Sequence, residues 1–293
     1  MLILIADKFD DVLPEKLKRF GEVTSDIARL PEADVVLVRA ATKADKAFFE
    51  KAAKIKLIVR GGVGTDNIDK AAAKEKGCEV LNTPKASSVA VAELTLAMML
   101  AVPNRLIEAH NGMLEGKFLK KELKRTELFQ KTLGLVGIGR IAQEVAKRAA
   151  AFGMKVLAFD PFVPSSPVAQ MVPTLDELVA QADYVCLHTP LTDQTRGMIN
   201  AAVIAKMKKG AILVNAGRGA TIVPEDVQAA LDSGQLGGYA TDVWPSDPPP
   251  PDYPLLKHPK VLMVPHLGAS TKENLLRIGA EVEEILASRQ GGK

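Results

Sequence analysis

The segment Leu135-Val-Gly137-Ile-Gly139-Arg140-Ile141-Ala142 limits what this chain can fold into more than any other. It follows an apolar run, Lys131-Thr-Leu-Gly-Leu-Val136, and opens a stretch with helical periodicity. Two glycines so spaced allow a tight turn from strand to helix and let the backbone approach a phosphate. Ala142, in the third position, has only to permit close packing of helix on strand. The helix start beyond the turn, with Arg140 and Ile141 in its first turn, supplies amide donors and a partial positive charge. A glycine pair alone marks many turns. Here, however, Asp160 closes the next strand, Lys155-Val-Leu-Ala-Phe-Asp160, at the spacing of about 20 residues expected of a ribose-binding carboxylate. That carboxylate would repel a 2′-phosphate, so the pattern implies a dinucleotide-binding unit that takes NAD rather than NADP.

The rest of the chain fits around that unit. Strands are expected again near Val156–Phe159, Tyr184–Leu187, Ile212–Val214, Tyr239–Val243 and Val261–Val264, making six in a doubly wound parallel sheet. Earlier apolar runs at Leu2–Ile5, Val35–Val38, Leu57–Val59 and Glu79–Leu81 alternate with Lys-, Glu- and Ala-rich stretches, a second α/β series. Between the two series an apolar helix should run from Ser87 to about Leu106, kinked or ended by Pro103. A last helix is expected from Thr271 to about Ser288, and Pro248 to Pro251 reads as a rigid loop. A length of 293 residues accommodates two modest domains.

Composition excludes several functions. The 38 basic and 35 acidic residues are interspersed, which describes a mixed solvated surface and no nucleic-acid footprint. Cys78 and Cys186 have no paired spacing, so neither a disulfide framework nor a metal site is expected. The apolar start is broken at Asp7, too early for a signal peptide, and no run reaches membrane-spanning length. The expectation is a cytoplasmic protein that binds no membrane.

A nicotinamide site that reduces a 2-oxo acid needs a cation for the carboxylate, a proton donor for the oxygen and a group that keeps the donor charged. Candidates follow the later strands: Arg218 in Asn215-Ala216-Gly-Arg218-Gly, Asp247 in Asp242-Val-Trp-Pro-Ser-Asp247-Pro, and His266 in Val264-Pro-His266-Leu-Gly. All would sit near the carboxyl ends of sheet strands, where doubly wound folds bind ligands. Asp247 can also be read as a plain turn residue before proline.

These motifs, with Val59-Arg60-Gly-Gly62-Val63-Gly64-Thr-Asp-Asn67, Asn82-Thr-Pro84 and Leu187-His188-Thr189-Pro190-Leu-Thr192, resemble the D-2-hydroxyacid dehydrogenase family over essentially the whole chain, above all its short 3-phosphoglycerate dehydrogenase-like members. The resemblance implies a Rossmann cofactor domain, residues 91–269, inserted in a smaller flavodoxin-like substrate domain, residues 1–90 and 270–293, with the reaction in the cleft. It implies that Arg218 binds substrate, that His266 moves the proton, and that Asp247 stands where relatives carry a glutamate. His188, Thr189, Pro190 and Ala216 would line the cofactor, Asp242 would face its carboxamide, and Gly62, Val63 and Gly64 would offer amides to the substrate carboxylate.

Arg39 and Arg60 would meet a substrate phosphate or else be ordinary solvated charges. The basic segment Lys117–Arg125 would reach a neighbouring subunit or simply be solvated. The favoured reaction is oxidation of 3-phosphoglycerate to 3-phosphohydroxypyruvate, with glyoxylate or hydroxypyruvate reduction as the enzymatic alternative. An NAD-responsive corepressor-like role is the alternative of another class. The resemblance also implies a homodimer and, with nothing after residue 293, no regulatory domain.

Overall fold

Strands that are apolar along their whole length need helices on both faces, and this chain supplies them: Leu2–Ile5, Val35–Val38 and Tyr184–Leu187 are buried from end to end. The computed structural model describes residues 1–290, and the chain forms two units, Met1–Ala90 with Ala269–Lys293, and Val91–Gly268.

The first unit contains β1 (Leu2–Ile5), β2 (Glu22–Thr24), β3 (Val35–Val38), β4 (Leu57–Arg60) and β5 (Glu79–Asn82). They pair in the order β2-β1-β3-β4-β5, all parallel, the flavodoxin-like arrangement. Sequence patterning misses β2 because Glu22-Val-Thr24 is a short, incompletely buried edge strand. The helices Lys46–Lys51 and Lys70–Glu75 each start at an aspartate, Asp45 or Asp69, whose side chain accepts from an amide in the first turn. The helix Lys272–Gln290 buries Ile278, Val282 and Leu286, four residues apart on one stripe, in a core with Phe9, Leu13 and Leu17.

The second unit contains β6 (Thr132–Val136), β7 (Lys155–Phe159), β8 (Gln170–Met171), β9 (Tyr184–Leu187), β10 (Ala211–Asn215), β11 (Leu236–Thr241) and β12 (Val261–Met263). Its sheet runs β12-β11-β10-β9-β6-β7-β8, all parallel. The chain leaves β6 in one direction through β7 and β8 and returns to its other side at β9. Such a switch point opens a crevice at the strands' carboxyl ends. Side chains alternate between two cores, Cys186, Val214 and Ala240 on one face and Val185, Leu213 and Tyr239 on the other.

Three sequence expectations are corrected. The unit has seven strands rather than six, because the two-residue edge strand β8 is too short to show a period. β11 begins at Leu236 rather than Tyr239; Gly237 hides it, being a position where a side chain would run into the Gly210 carbonyl. The apolar helix spans Ser88–Ala101, ending before Pro103, and a second helix, Leu106–Leu114, starts after Arg105 at φ 50°. His258 lies in a loop with its side chain 8% exposed: its Nδ1 accepts from the Lys260 amide and its Nε2 meets Asp232 at 3.3 Å. No single helix among the described residues is long and apolar enough to cross a membrane.

Candidate active site

Every candidate of the second unit lies at the carboxyl end of a strand. After β6 the chain turns at Gly137, whose φ of +87° disfavours a side chain; a Cβ there would sit 3.0 Å from the His188 carbonyl oxygen. Gly139 begins the helix Arg140–Ala151 and borders open space, so the first amides of that helix, Arg140 and Ile141, have room for an anion and no intrahelical acceptor. Asp160, just past β7, returns to this turn and accepts from the Ile138 amide at 3.1 Å and the Phe162 amide at 3.0 Å. Beyond β9, both ring nitrogens of His188 and the hydroxyl of Thr189 are sealed from solvent with no partner among the described residues. Burial pushes the His188 pKa down to about 4, so its ring is neutral at pH 7. Open space beside the first helix amides, a carboxylate at the end of β7 and buried polar atoms with no partner among the described residues fit a dinucleotide. Pro190 continues this wall, its carbonyl bound by Thr195 at 2.7 Å, and Ala216 is buried at the end of β10.

Three neighbouring loops carry Arg218, Asp247 and His266. Asn215, wholly buried, holds the turn after β10: its Nδ2 donates to the Arg218 carbonyl at 2.9 Å and its Oδ1 accepts from the Gly217 amide at 3.1 Å. Thr221 donates to the same Arg218 carbonyl at 2.7 Å. The backbone of Arg218 is thus fixed, while its Nη1 donates to the Gly217 carbonyl at 2.7 Å. Gly219 is required because a Cβ would strike the backbone of Trp244 and Pro245, the start of the loop after β11. That loop delivers Asp247, whose Oδ2 lies 2.5 Å from Nδ1 of His266. An ionised carboxylate can only accept, so Nδ1 carries the proton and Nε2 is left for chemistry.

His266 itself has φ 54°, a left-handed conformation that costs a non-glycine residue about 1–3 kcal/mol and collects at functional sites. Asp242 helps to hold it there. The Asp242 side chain, 2% exposed, accepts from the Leu267 amide at 2.6 Å and the Gly268 amide at 2.8 Å. Burial raises its pKa, and those two amides oppose the rise.

In the first unit Arg39 and Arg60 stand at the ends of β3 and β4. Arg39 donates to the carbonyls of Lys8 at 3.1 Å and Ala269 at 3.4 Å, and its Nε is buried without a partner. Arg60 donates to the Gly61 carbonyl at 3.3 Å. Gly62, at φ +137°, is tied to β5 through the Thr83 hydroxyl at 2.7 Å, and Val63 through its carbonyl and Asn82 at 2.5 Å.

Comparison with known proteins agrees with this geometry. Residues 96–268 match the family described as D-isomer specific 2-hydroxyacid dehydrogenase, NAD binding domain. The chain belongs to this family. The dehydrogenase is 46% identical to hydroxypyruvate reductase of Thermotoga maritima, over 89% of this chain and 86% of that one. It is 42% identical to D-3-phosphoglycerate dehydrogenase of Methanocaldococcus jannaschii over 96% of its length, spanning 56% of that relative. It superposes with a TM-score of 0.87 at 29% identity on D-lactate dehydrogenase of Aquifex aeolicus, solved with NAD and lactic acid, covering all of this chain and 96% of that one. NAD is the cofactor of the family domain, and the nicotinamide it carries supplies or accepts a hydride.

Sequence reading of the dehydrogenase overlooks Asn215, Thr221 and Trp244. Asn215 and Thr221 bracket the Gly-Arg-Gly turn, and a buried asparagine at a strand end before glycine is the signal that marks such a clamp. Trp244 carries no local signal, since its role depends on where the chain returns.

Proposed function

We propose that this dehydrogenase oxidises D-3-phosphoglycerate to 3-phosphohydroxypyruvate, a step that feeds serine biosynthesis, with Arg218, Asp247 and His266 as its catalytic residues. The reaction type rests on one observation: an imidazole held at Nδ1 by a carboxylate, with no hydrogen bond to Nε2 among the described residues. In oxidation, Nε2 takes the proton of the substrate hydroxyl; in reduction, the imidazolium returns it to the carbonyl oxygen. Asp247 stabilises the charged ring in both directions. Arg218 holds the substrate carboxylate with its planar fork. Gly137, Gly139, Arg140 and Ile141 receive the pyrophosphate, Asp160 the ribose, and His188, Thr189, Pro190, Ala216 and Asp242 line the cofactor.

The amides of Val63 and Gly64 find no acceptor among the described residues, which suits them to an anionic group of the substrate. The phosphate is assigned to Arg39 and Arg60. The Arg39 guanidinium bonds two carbonyls and no carboxylate, so its charge is held in place without being neutralised by contact. Burial lowers its pKa, Asp7 opposing, and a phosphate would favour its charged form.

Reduction of hydroxypyruvate or glyoxylate is the second reading, favoured by the Thermotoga maritima relative, which this chain matches over 86% of its length. The 3-phosphoglycerate dehydrogenase relatives are longer proteins, of which the chain spans about half. Initial rates with NADH on phosphohydroxypyruvate, hydroxypyruvate, glyoxylate, pyruvate and oxaloacetate separate the two. A kcat/KM highest for phosphohydroxypyruvate supports the first reading. A preference for an unphosphorylated acid replaces it with the second.

The reading includes a cytoplasmic homodimer. Leu106, Ile107, Met113, Leu114 and Phe118 are exposed on the helix Leu106–Leu114 and just beyond it, Leu114 to 74% and Phe118 to 75%. They neighbour a groove of about 870 Å³ floored by Val102, Leu119, Val261 and Leu262. Apolar side chains exposed along one segment in this way fit a second copy of the same chain.

A further inference from the structure

An aspartate carboxylate hangs from a single methylene, so it has little reach of its own: its position is set by where the backbone stands. Asp247 nevertheless meets His266 at 2.5 Å, although it lies in a proline-rich loop that forms neither helix nor strand. Something must fix that loop against the end of β12. Main-chain bonds contribute only at its edges. Thr241 closes the turn after β11 by accepting from the Val243 amide at 3.1 Å and donating to the Val243 carbonyl at 2.8 Å, and Tyr253 donates its amide to the Pro250 carbonyl at 3.0 Å.

Ser246 Oγ donates to the Pro248 carbonyl at 2.8 Å, a bond local to the loop, whereas Trp244 reaches outside it. Its indole Nε1 donates to the carbonyl of Val264 at 3.1 Å, two residues before His266. Its ring meets Tyr253 edge to face at 5.9 Å, so it also gathers the far end of the loop. Its own backbone is the surface against which Gly219, next to Arg218, is packed. One residue therefore touches all three segments, the side chain reaching those that carry Asp247 and His266 and the backbone the one that carries Arg218.

We infer that Trp244 is a positioning residue: its bond to Val264 sets the distance between the Asp247 and His266 backbones, and a short acid reaches the imidazole because that distance is held. This rests on the reading of Asp247 and His266 as the proton-transfer pair. Asp247 and Asp242 are the charged side chains that face His266 within its own unit.

The test is a set of substitutions in the full-length enzyme with NADH and its best 2-oxo acid. Trp244→Phe keeps an aromatic ring for Tyr253 and deletes the N–H. It should lower kcat about tenfold, the rate equivalent of one hydrogen bond, and leave KM for NADH unchanged. Asp247→Glu adds the methylene that a looser loop would need. It should lower kcat in the wild-type background and restore part of the lost rate in the Trp244→Phe background.

An unchanged kcat in Trp244→Phe overturns the inference, and so does an Asp247→Glu effect equal in both backgrounds. If Trp244→Phe does not fold, replacing the single tryptophan with benzothienylalanine, which has the same shape and no N–H, tests the same bond with the same expectations. Asp247→Asn separates the two levels. If that change is harmless, the proton-transfer reading fails; if it is harmful while Trp244→Phe is not, only the anchor fails.

Discussion

Both ring nitrogens of His188 are shut away from water with no partner among the described residues, and burial pushes the pKa from 6.5 to about 4. Above pH 6.5 the ring is neutral in the folded and the unfolded chain, and stability does not depend on it. Between pH 6.5 and 4 the unfolded chain takes up a proton that the folded one refuses, so stability falls with falling pH, by at most about 3 kcal/mol. Urea unfolding across this range should show the decline in the wild type and a shallower one in His188→Gln; equal slopes would assign it to other groups. At Asp247, removing the charge while keeping the shape is the informative change. Asp247→Asn should slow reduction about 100-fold and move the alkaline limb of its pH–rate profile to lower pH, because the imidazolium loses its counter-charge. An unaltered rate and profile would leave Asp247 as the turn residue that its position before proline allows.

Among the elements, the turn between β6 and its helix tolerates little change. Gly137→Ala places a Cβ at φ +87° and 3.0 Å from the His188 carbonyl oxygen. Affinity for NADH, measured by fluorescence titration, should fall at least about tenfold while circular dichroism stays the same, since the strain falls on one turn. This turn was legible because its chemistry is local: glycines, strand, helix and Asp160 all lie within one βαβ unit. Strands buried on both faces were legible for the same reason, as unbroken apolar runs. Edge strands β2 and β8 carried too few residues to show a period, and β11 was masked by Gly237. What the sequence could not display was how loops meet. Asp247 could be named as a candidate, but its contact with His266 depends on Trp244 reaching Val264, and no residue spacing encodes that.

At the scale of the whole molecule, the apolar surface around Leu114 and Phe118 bears on assembly. Leu114→Glu with Phe118→Glu should convert the proposed dimer to a monomer in sedimentation velocity, with the far-ultraviolet dichroism kept, because both side chains are exposed in the single chain. A wild type that sediments as a monomer would remove the dimer from the functional reading. The division of the chain has a consequence of another kind. The second unit is one continuous stretch, whereas the first is closed by Ile278, Val282 and Leu286 from a helix that follows it. On a ribosome, the first 90 residues therefore emerge with one side of their core still missing, and they wait while the entire nucleotide-binding unit is made. The part that begins first is the part that finishes last, and the exposed faces of Phe9, Leu13 and Leu17 are what a chaperone would meet in the interval.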